Sequence, residues 1–244
     1  MSSGIYVALS AQVALERRLS SIANNVANAN TAGFRAEEVK FESILAAAGG
    51  SGEDRVAFAS PGDSYISRRS GPVNRTGNPL DVAVQGDAWL AINTPDGTAY
   101  TRDGRMHMAA SGELQSAEGH SILDAGGSPI LIDASAGDVR IGDDGTITQN
   151  GKQIGALGLF SIPPNSKLER GPNASVYTSL PAQPVEDLTG NGVRQGYLEG
   201  ANVNPVLEMS RLIEVTRAFE NAAQAISEHE SATTDCIHML SSTS

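Results

Sequence analysis

The chain has 244 residues, 40% of them apolar, with 28 acidic against 17 Lys and Arg residues and a formal net charge of −11. A phosphate-tracking surface needs clustered cations, and only Arg17-Arg18 and Arg68-Arg69 stand together, so nucleic acid is excluded as a partner and both pairs are read as solvated faces. No run approaches the roughly 20 apolar residues that span a bilayer, and the single Cys236 cannot close an internal disulfide. The first residues lack a basic start, an apolar block and a cleavage site, so removal of a leader is not expected.

In chain order, residues 3–28 read as a helix about 39 Å long. Ile5, Ala8, Leu15, Leu19, Ile22 and Val26 fall on one stripe of 3–4 spacing that only Gln12 interrupts. The run from Ala23 to Arg35 then ends the helix, because Asn is a poor interior helix former that tolerates left-handed turns and Gly33 adds a further permissive position. Ala36–Leu45 fits an extended or a helical segment, anchored by Val39, Phe41 and Ile44, and Ala46–Glu53 reads as a small, Gly-rich connector.

From about Tyr65 the period changes to two. Val82 and Val84, Leu90 and Ile92, Met106 and Met108, Ile130 and Ile132, Val139 and Ile141, and Leu157 and Leu159 each give the alternation of a half-buried strand. Turn signals separate them, among them Pro95-Asp96-Gly97, Ser111-Gly112, Asp143-Asp144-Gly145 and Asn150-Gly151. A two-residue hairpin is expected at Asp103-Gly104. Residues 163–203, with Pro163, Pro164, Pro172, Pro181 and Pro184, read as irregular. Helix resumes at Asn204, which can cap it, with Pro205 in the first helical position. Its stripe is Leu212, Val215, Phe219, Ala222, Ile226, Thr233, Cys236 and Leu240, with His229 as the polar member.

The expected fold is therefore α+β. Long N- and C-terminal helices pair as a coiled-coil-like layer, and the central region is an antiparallel sandwich or open barrel. Its parts are a helix and Asn-rich end at 1–34, a connector at 35–64, a β domain at 65–162, a return segment at 163–203 and a second helix at 204–244. The narrow stripes mark the two ends as assembly elements.

Chemistry is sparse. His107, His120, His229 and His238 lack metal-ligand spacing. Asp143-Asp144-Gly145 starts like a calcium loop but lacks the alternating ligands and terminal Glu. No nucleophile elbow, phosphate loop or dinucleotide fingerprint occurs, and no cofactor is expected. Asp81, Asp87, Asp96 and Asp103 sit in turns, where carboxylates bond the backbone.

The segment Ala23–Phe34, carrying Asn24, Asn25, Asn28, Asn30, Thr31, Gly33 and Phe34, resembles the N-terminal signature of the bacterial flagellar rod and hook proteins. Thr76–Trp89, Thr94–Gly104, Gly196–Pro205 and Glu208–Glu220 are similar to the same family in the same order, whereas 125–195 matches only loosely. The short central region leaves the rod proteins, and Trp89 with the Ile5–Ser10 start looks more like the proximal than the distal rod members, although Arg211–Glu220 is close to the distal type. The resemblance implies a structural subunit without activity, exported uncleaved through the flagellar type III apparatus. It would assemble with itself and with proximal and distal rod subunits in the basal body, as one segment of a rod crossing the periplasm. An axial tube is an open head-to-tail array, which needs two different complementary surfaces on each copy. The competing readings are a periplasmic enzyme acting on cell-wall glycan through paired carboxylates, and a cap or chaperone that leaves after assembly.

Overall fold

The computed structural model describes residues 2–47, 55–188 and 190–242, with the side chains of 2–7 and 41–63 and several near the C-terminus, Cys236 and Leu240 among them, outside the description. Helix α1 covers Ser2–Ala27 and is followed by β1 (Glu37–Ala47), β2 (Arg55–Ile66), β3 (Val73–Arg75), β4 (Val82–Gln85), β5 (Ala88–Thr94) and β6 (Gly97–Thr101). Next come β7 (Met106–Met108), β8 (Leu114–Ser116), β9 (Ser121–Ile122), β10 (Val139–Ile141), β11 (Thr146–Gln149) and β12 (Lys152–Ala156). The order closes with β13 (Leu159–Ser161), β14 (Leu168–Arg170), β15 (Ser175–Thr178), β16 (Gln183–Pro184), β17 (Gly192–Gln195), β18 (Tyr197–Glu199) and α2 (Pro205–Ser242).

Two compact units result. One gathers Met1–Ala27, Glu37–Tyr65 and Asn204–Ser244, and the other gathers Asn28–Ala36 and Ile66–Val203. The Asn-rich end thus leaves the helix it terminates and joins the β unit. In the helical unit α1 lies against α2 and β1, and β1 pairs with β2. The stretch from 35 to 64 carries β1 and most of β2, which ends at Ile66.

In the β unit the largest sheet runs β14-β15-β6-β5-β9-β8-β7, with β13 bridging β5 and β16. Its ends, β14 and β7, are not paired with each other, so no closed barrel forms. A three-stranded sheet, β10-β11-β12, and the pairs β17-β4 and β18-β3 complete it. One apolar cluster joins the largest sheet, the three-stranded sheet and the β17-β4 pair: Val82, Leu90, Ile92, Leu114, Ile122, Ile147 and Val193 are each at most 2% exposed. These are the inward positions of the two-residue period. Ile130 and Ile132 are buried while Leu131 between them is 65% exposed, which keeps the alternation where pairing is reduced to single bridges. The β11–β12 turn is Asn150-Gly151, both with positive φ (51° and 73°), the geometry that suits a two-residue hairpin to strand twist.

Two expectations are corrected. Asp103-Gly104 is not a hairpin: β6 pairs with β5 and β15, and β7 pairs with β8. Gly104 instead passes so close to β4 that a Cβ there would lie 1.8 Å from the Val82 carbonyl oxygen, and its own carbonyl accepts from Val82 N at 3.0 Å. The glycine serves close approach, which a turn signal in the sequence cannot distinguish from a hairpin. Arg68 is not a solvated face either, since it donates to the carbonyls of Ile162, Pro163 and Ser166 at 2.9–3.0 Å, and burial lowers its pKa. Between Pro163 and Val203 the chain carries five short strands, β14 to β18; β14 pairs with the adjacent β15, whereas β15, β17 and β18 reach partners far away in sequence, β6, β4 and β3.

Candidate assembly site

In the helical unit the buried face of α1 is half polar. Ala14 and Ile22 are buried beside Ser21 and Asn25, and Ser21 Oγ and Asn25 Nδ2 both donate to the Glu37 carbonyl, at 2.8 and 2.9 Å. Asn25 Oδ1 accepts from Glu37 N at 2.9 Å, so one side chain replaces a strand partner for β1. Leu15, Leu19 and Val26 are half-buried, and the side chain of Ile5 is outside the description. On α2, Val215 is buried, and Leu212, Phe219, Ala222 and Ile226 are half-buried. Asn204 Oδ1 accepts from Leu207 N at 3.2 Å as the expected cap, and Glu208 in the first turn pairs with Arg211 at 2.6 Å.

A second stripe went unread in the sequence. Val206, Met209 and Ile213 are 75%, 52% and 55% exposed. At about 100° per residue they project roughly a third of a turn away from the buried face. Leu9 and Val13 are likewise exposed on α1, at 50% and 40%. The signal was present as a 3–4 spacing, but the longer stripe beginning at Leu212 masked it.

The Asn-rich end is built into the β unit. Thr31 N donates to the Asn28 carbonyl at 3.0 Å and Thr31 Oγ1 bonds Asn28 Oδ1 at 3.3 Å, turning the chain, while Asn24 is half-buried and Asn30 exposed. Gly33 has φ +66°, and a Cβ there would meet Asp103 N at 2.2 Å, so no other residue fits this turn. Phe34 is 2% exposed, packed with Ala174 and Ala201 under the Arg170 guanidinium, 4.4 Å from its ring centroid.

Beside it lies a buried ionic centre. Glu199 pairs with Arg35 Nη2 at 2.9 Å and with Arg102 Nε at 2.8 Å, and Gly71 N donates to its Oε1 at 2.8 Å. All three side chains are 2% exposed or less. Arg35 also sits 5.5 Å from the Trp89 ring centroid and donates to the Arg69 carbonyl, and Arg102 donates to the Ala88 carbonyl. Burial pulls the Arg35 guanidinium down to about 10, with the Glu199 carboxylate opposing and Arg102 reinforcing the shift. Among the described residues no group of three or more His, Cys, Asp or Glu could hold a metal ion, and no helix is long and apolar enough to cross a membrane. Asp81 and Asp103 are engaged structurally, by Asn78 and by Arg105.

Three family models match the chain in order: "Flagella basal body rod protein" over 5–35, "Flagellar hook protein FlgE/F/G D1 domain" over 83–149, and "Flagellar basal body rod FlgEFG protein C-terminal" over 194–231. The flagellar basal-body rod protein FlgF of Mesorhizobium japonicum is 50% identical over 244 residues, covering all of both chains. That of Rhizobium meliloti is 45% identical over 240 residues, covering 98% of each. The chain belongs to the FlgF family of flagellar basal-body rod proteins. The FlgG rod protein of Bacillus subtilis is more distant, 29% identical with 98% of this chain and 99% of its own covered. FlgF-family proteins are structural components of the rod and not enzymes, so the turn carboxylates have no catalytic part. Both the Asn-rich end and the segment with Glu199 fall inside matched regions, and the structure brings them together.

Proposed function

We propose that this chain is a subunit of the proximal rod, in which α1 and α2 form a coiled-coil-like layer with neighbouring rod subunits and the β unit folds as an antiparallel sandwich. The observation that carries this is the second stripe: the folded chain leaves Val206, Met209 and Ile213 in water on α2, together with Leu9 and Val13 on α1. Stripes at this spacing suit helix-on-helix packing. The other stripe, from Leu212 through Val215, Phe219, Ala222 and Ile226 toward Leu240, then joins the two helices of one copy, and with Ile5, Leu15, Leu19, Ile22 and Val26 sets their mutual register. Two unlike apolar surfaces per copy meet the need of an open head-to-tail array. The sandwich reading is supported by the shared core, which draws Leu90 and Ile92 from one sheet and Ile141 and Ile147 from another.

The partners in this reading are further copies of the chain, the proximal and distal rod subunits that adjoin it, and the flagellar type III export apparatus that delivers it uncleaved to the periplasmic part of the basal body. Segments 1–34 and 204–244 act as the assembly ends. The test is quantitative: basal bodies purified from the native strain should hold this chain in several copies per rod, and a strain lacking it should build no complete rod. Trace amounts in purified rods, with motility still dependent on the protein, would favour a transient cap or chaperone and overturn the structural reading.

A further inference from the structure

The Glu199 centre joins four chain segments that are remote from one another. Residues 33–36 arrive from the amino-terminal end, 69–71 follow β2, Arg102 follows β6, and 199–202 close the β unit. Gly33 N donates to the Glu199 carbonyl at 2.8 Å, Asn202 N donates to the Phe34 carbonyl at 3.2 Å, and Asn202 Oδ1 accepts from Ala36 N at 2.6 Å across a separation of 166 residues. Asn202 Nδ2 also donates to the Arg69 carbonyl at 2.7 Å. The backbone amides of Gly33 and Ala36 and the carbonyl of Phe34 are thus held by residues 199–202, while Ser67 N donates to the Ala36 carbonyl at 2.8 Å and Arg170 Nη2 to the Arg35 carbonyl at 2.7 Å.

Charge makes the dependence stricter. Arg35 and Arg102 are both buried, and Glu199 is the carboxylate paired to each. Removing one partner of a buried pair leaves an uncompensated charge, a far larger penalty than the net worth of the pair. The surfaces that exclude water from the centre, the Trp89 ring and the Ala88 carbonyl on β5 and the Arg170–Phe34 stack on β14, exist only once those strands are placed. Closing so long a loop adds an entropic cost that no local contact repays.

We propose that Glu199 is a completion latch: the Asn28–Ala36 segment docks on the β unit as the last folding step, after the core has formed and residues 199–202 have joined it. Chains are synthesised amino-terminus first. The segment that carries the family signature thus stays unlocked while nearly the whole β unit is being made, and locks when the carboxylate arrives.

Refolding of the full chain followed by pulse-labelling hydrogen exchange tests this. The amide of Leu123, bonded to the Ala91 carbonyl within the core, should gain protection before those of Gly33 and Gly71, which bond Glu199. In Glu199→Gln the Leu123 phase should keep its rate within about twofold, while exchange at Gly33 and Gly71 in the folded protein accelerates roughly 100-fold. The apolar variant Arg35→Met/Arg102→Met/Glu199→Leu removes all three charges and should likewise retain the Leu123 phase. Simultaneous protection of all three amides in the native chain, or loss of the Leu123 phase in either variant, places the centre inside the folding nucleus and overturns the latch.

Discussion

Ile213→Asp should abolish incorporation into the rod, and with it motility, while leaving the melting curve of the isolated protein unchanged. Ile213 is 55% exposed in the folded chain, beside Met209 and Val206 on the same face. A substitution at such a position typically alters folding stability by no more than about 0.5 kcal/mol. In an assembled helix layer the same side chain is buried against a neighbour, where a large aliphatic group is worth about 1.5–3 kcal/mol. An unpaired carboxylate in its place adds a desolvation cost of several kcal/mol. The penalty repeats at each copy of the contact, so a modest local change becomes a block to assembly. The check is complementation of a strain lacking the protein, read as motility and as rod content of purified basal bodies, beside thermal melts of the purified variant. Normal rods built from Ile213→Asp would remove this stripe from the interface.

Phe34→Ala should destabilise the β unit by about 3–5 kcal/mol, the usual cost of emptying a buried aromatic site. Phe34 is 2% exposed, closes a small cluster with Ala174 and Ala201, and carries the Arg170 guanidinium on its ring. Its buried apolar neighbours are two alanines, Ala174 in a turn and Ala201, whose short side chains cannot fill the gap. At roughly 2–4 °C per kcal/mol for a domain of this size, the melting temperature should fall by on the order of 10 °C. Calorimetry of the full chain measures it. A shift below about 2 °C would mean that the Asn-rich end does not belong to the β unit's core.

The two predictions draw on features of unequal legibility. Both terminal helices, the cap at Asn204 and the inward positions of most strands could be read directly, because each depends on residues close together in sequence and on a fixed period. Strand pairing could not. The pairs β4 with β17 and β3 with β18 bring together segments from opposite ends of the β unit, and nothing local marks them. Gly104 shows the same limit at one residue, where a glycine required by the approach of Val82 reads like a turn. The burial of Arg35 was hidden for a stronger reason. A charged side chain is normally exposed, and only a carboxylate far along the chain, at Glu199, makes burial tolerable. The family resemblance picked out both segments without revealing that they touch.

Solvent footprinting of assembled rods tests most directly whether the helices form the shared layer. Cys236 is first replaced by Ser, and single cysteines are then introduced at Met209 on α2 and at Leu131, which is 65% exposed on the β unit. Maleimide should label both positions in the free subunit. In purified basal bodies the cysteine at 209 should become at least tenfold less reactive, whereas that at 131 keeps most of its reactivity, in line with burial of an apolar interface patch that excludes water. Equal labelling of position 209 in rods and in the free subunit would contradict the helix-layer model.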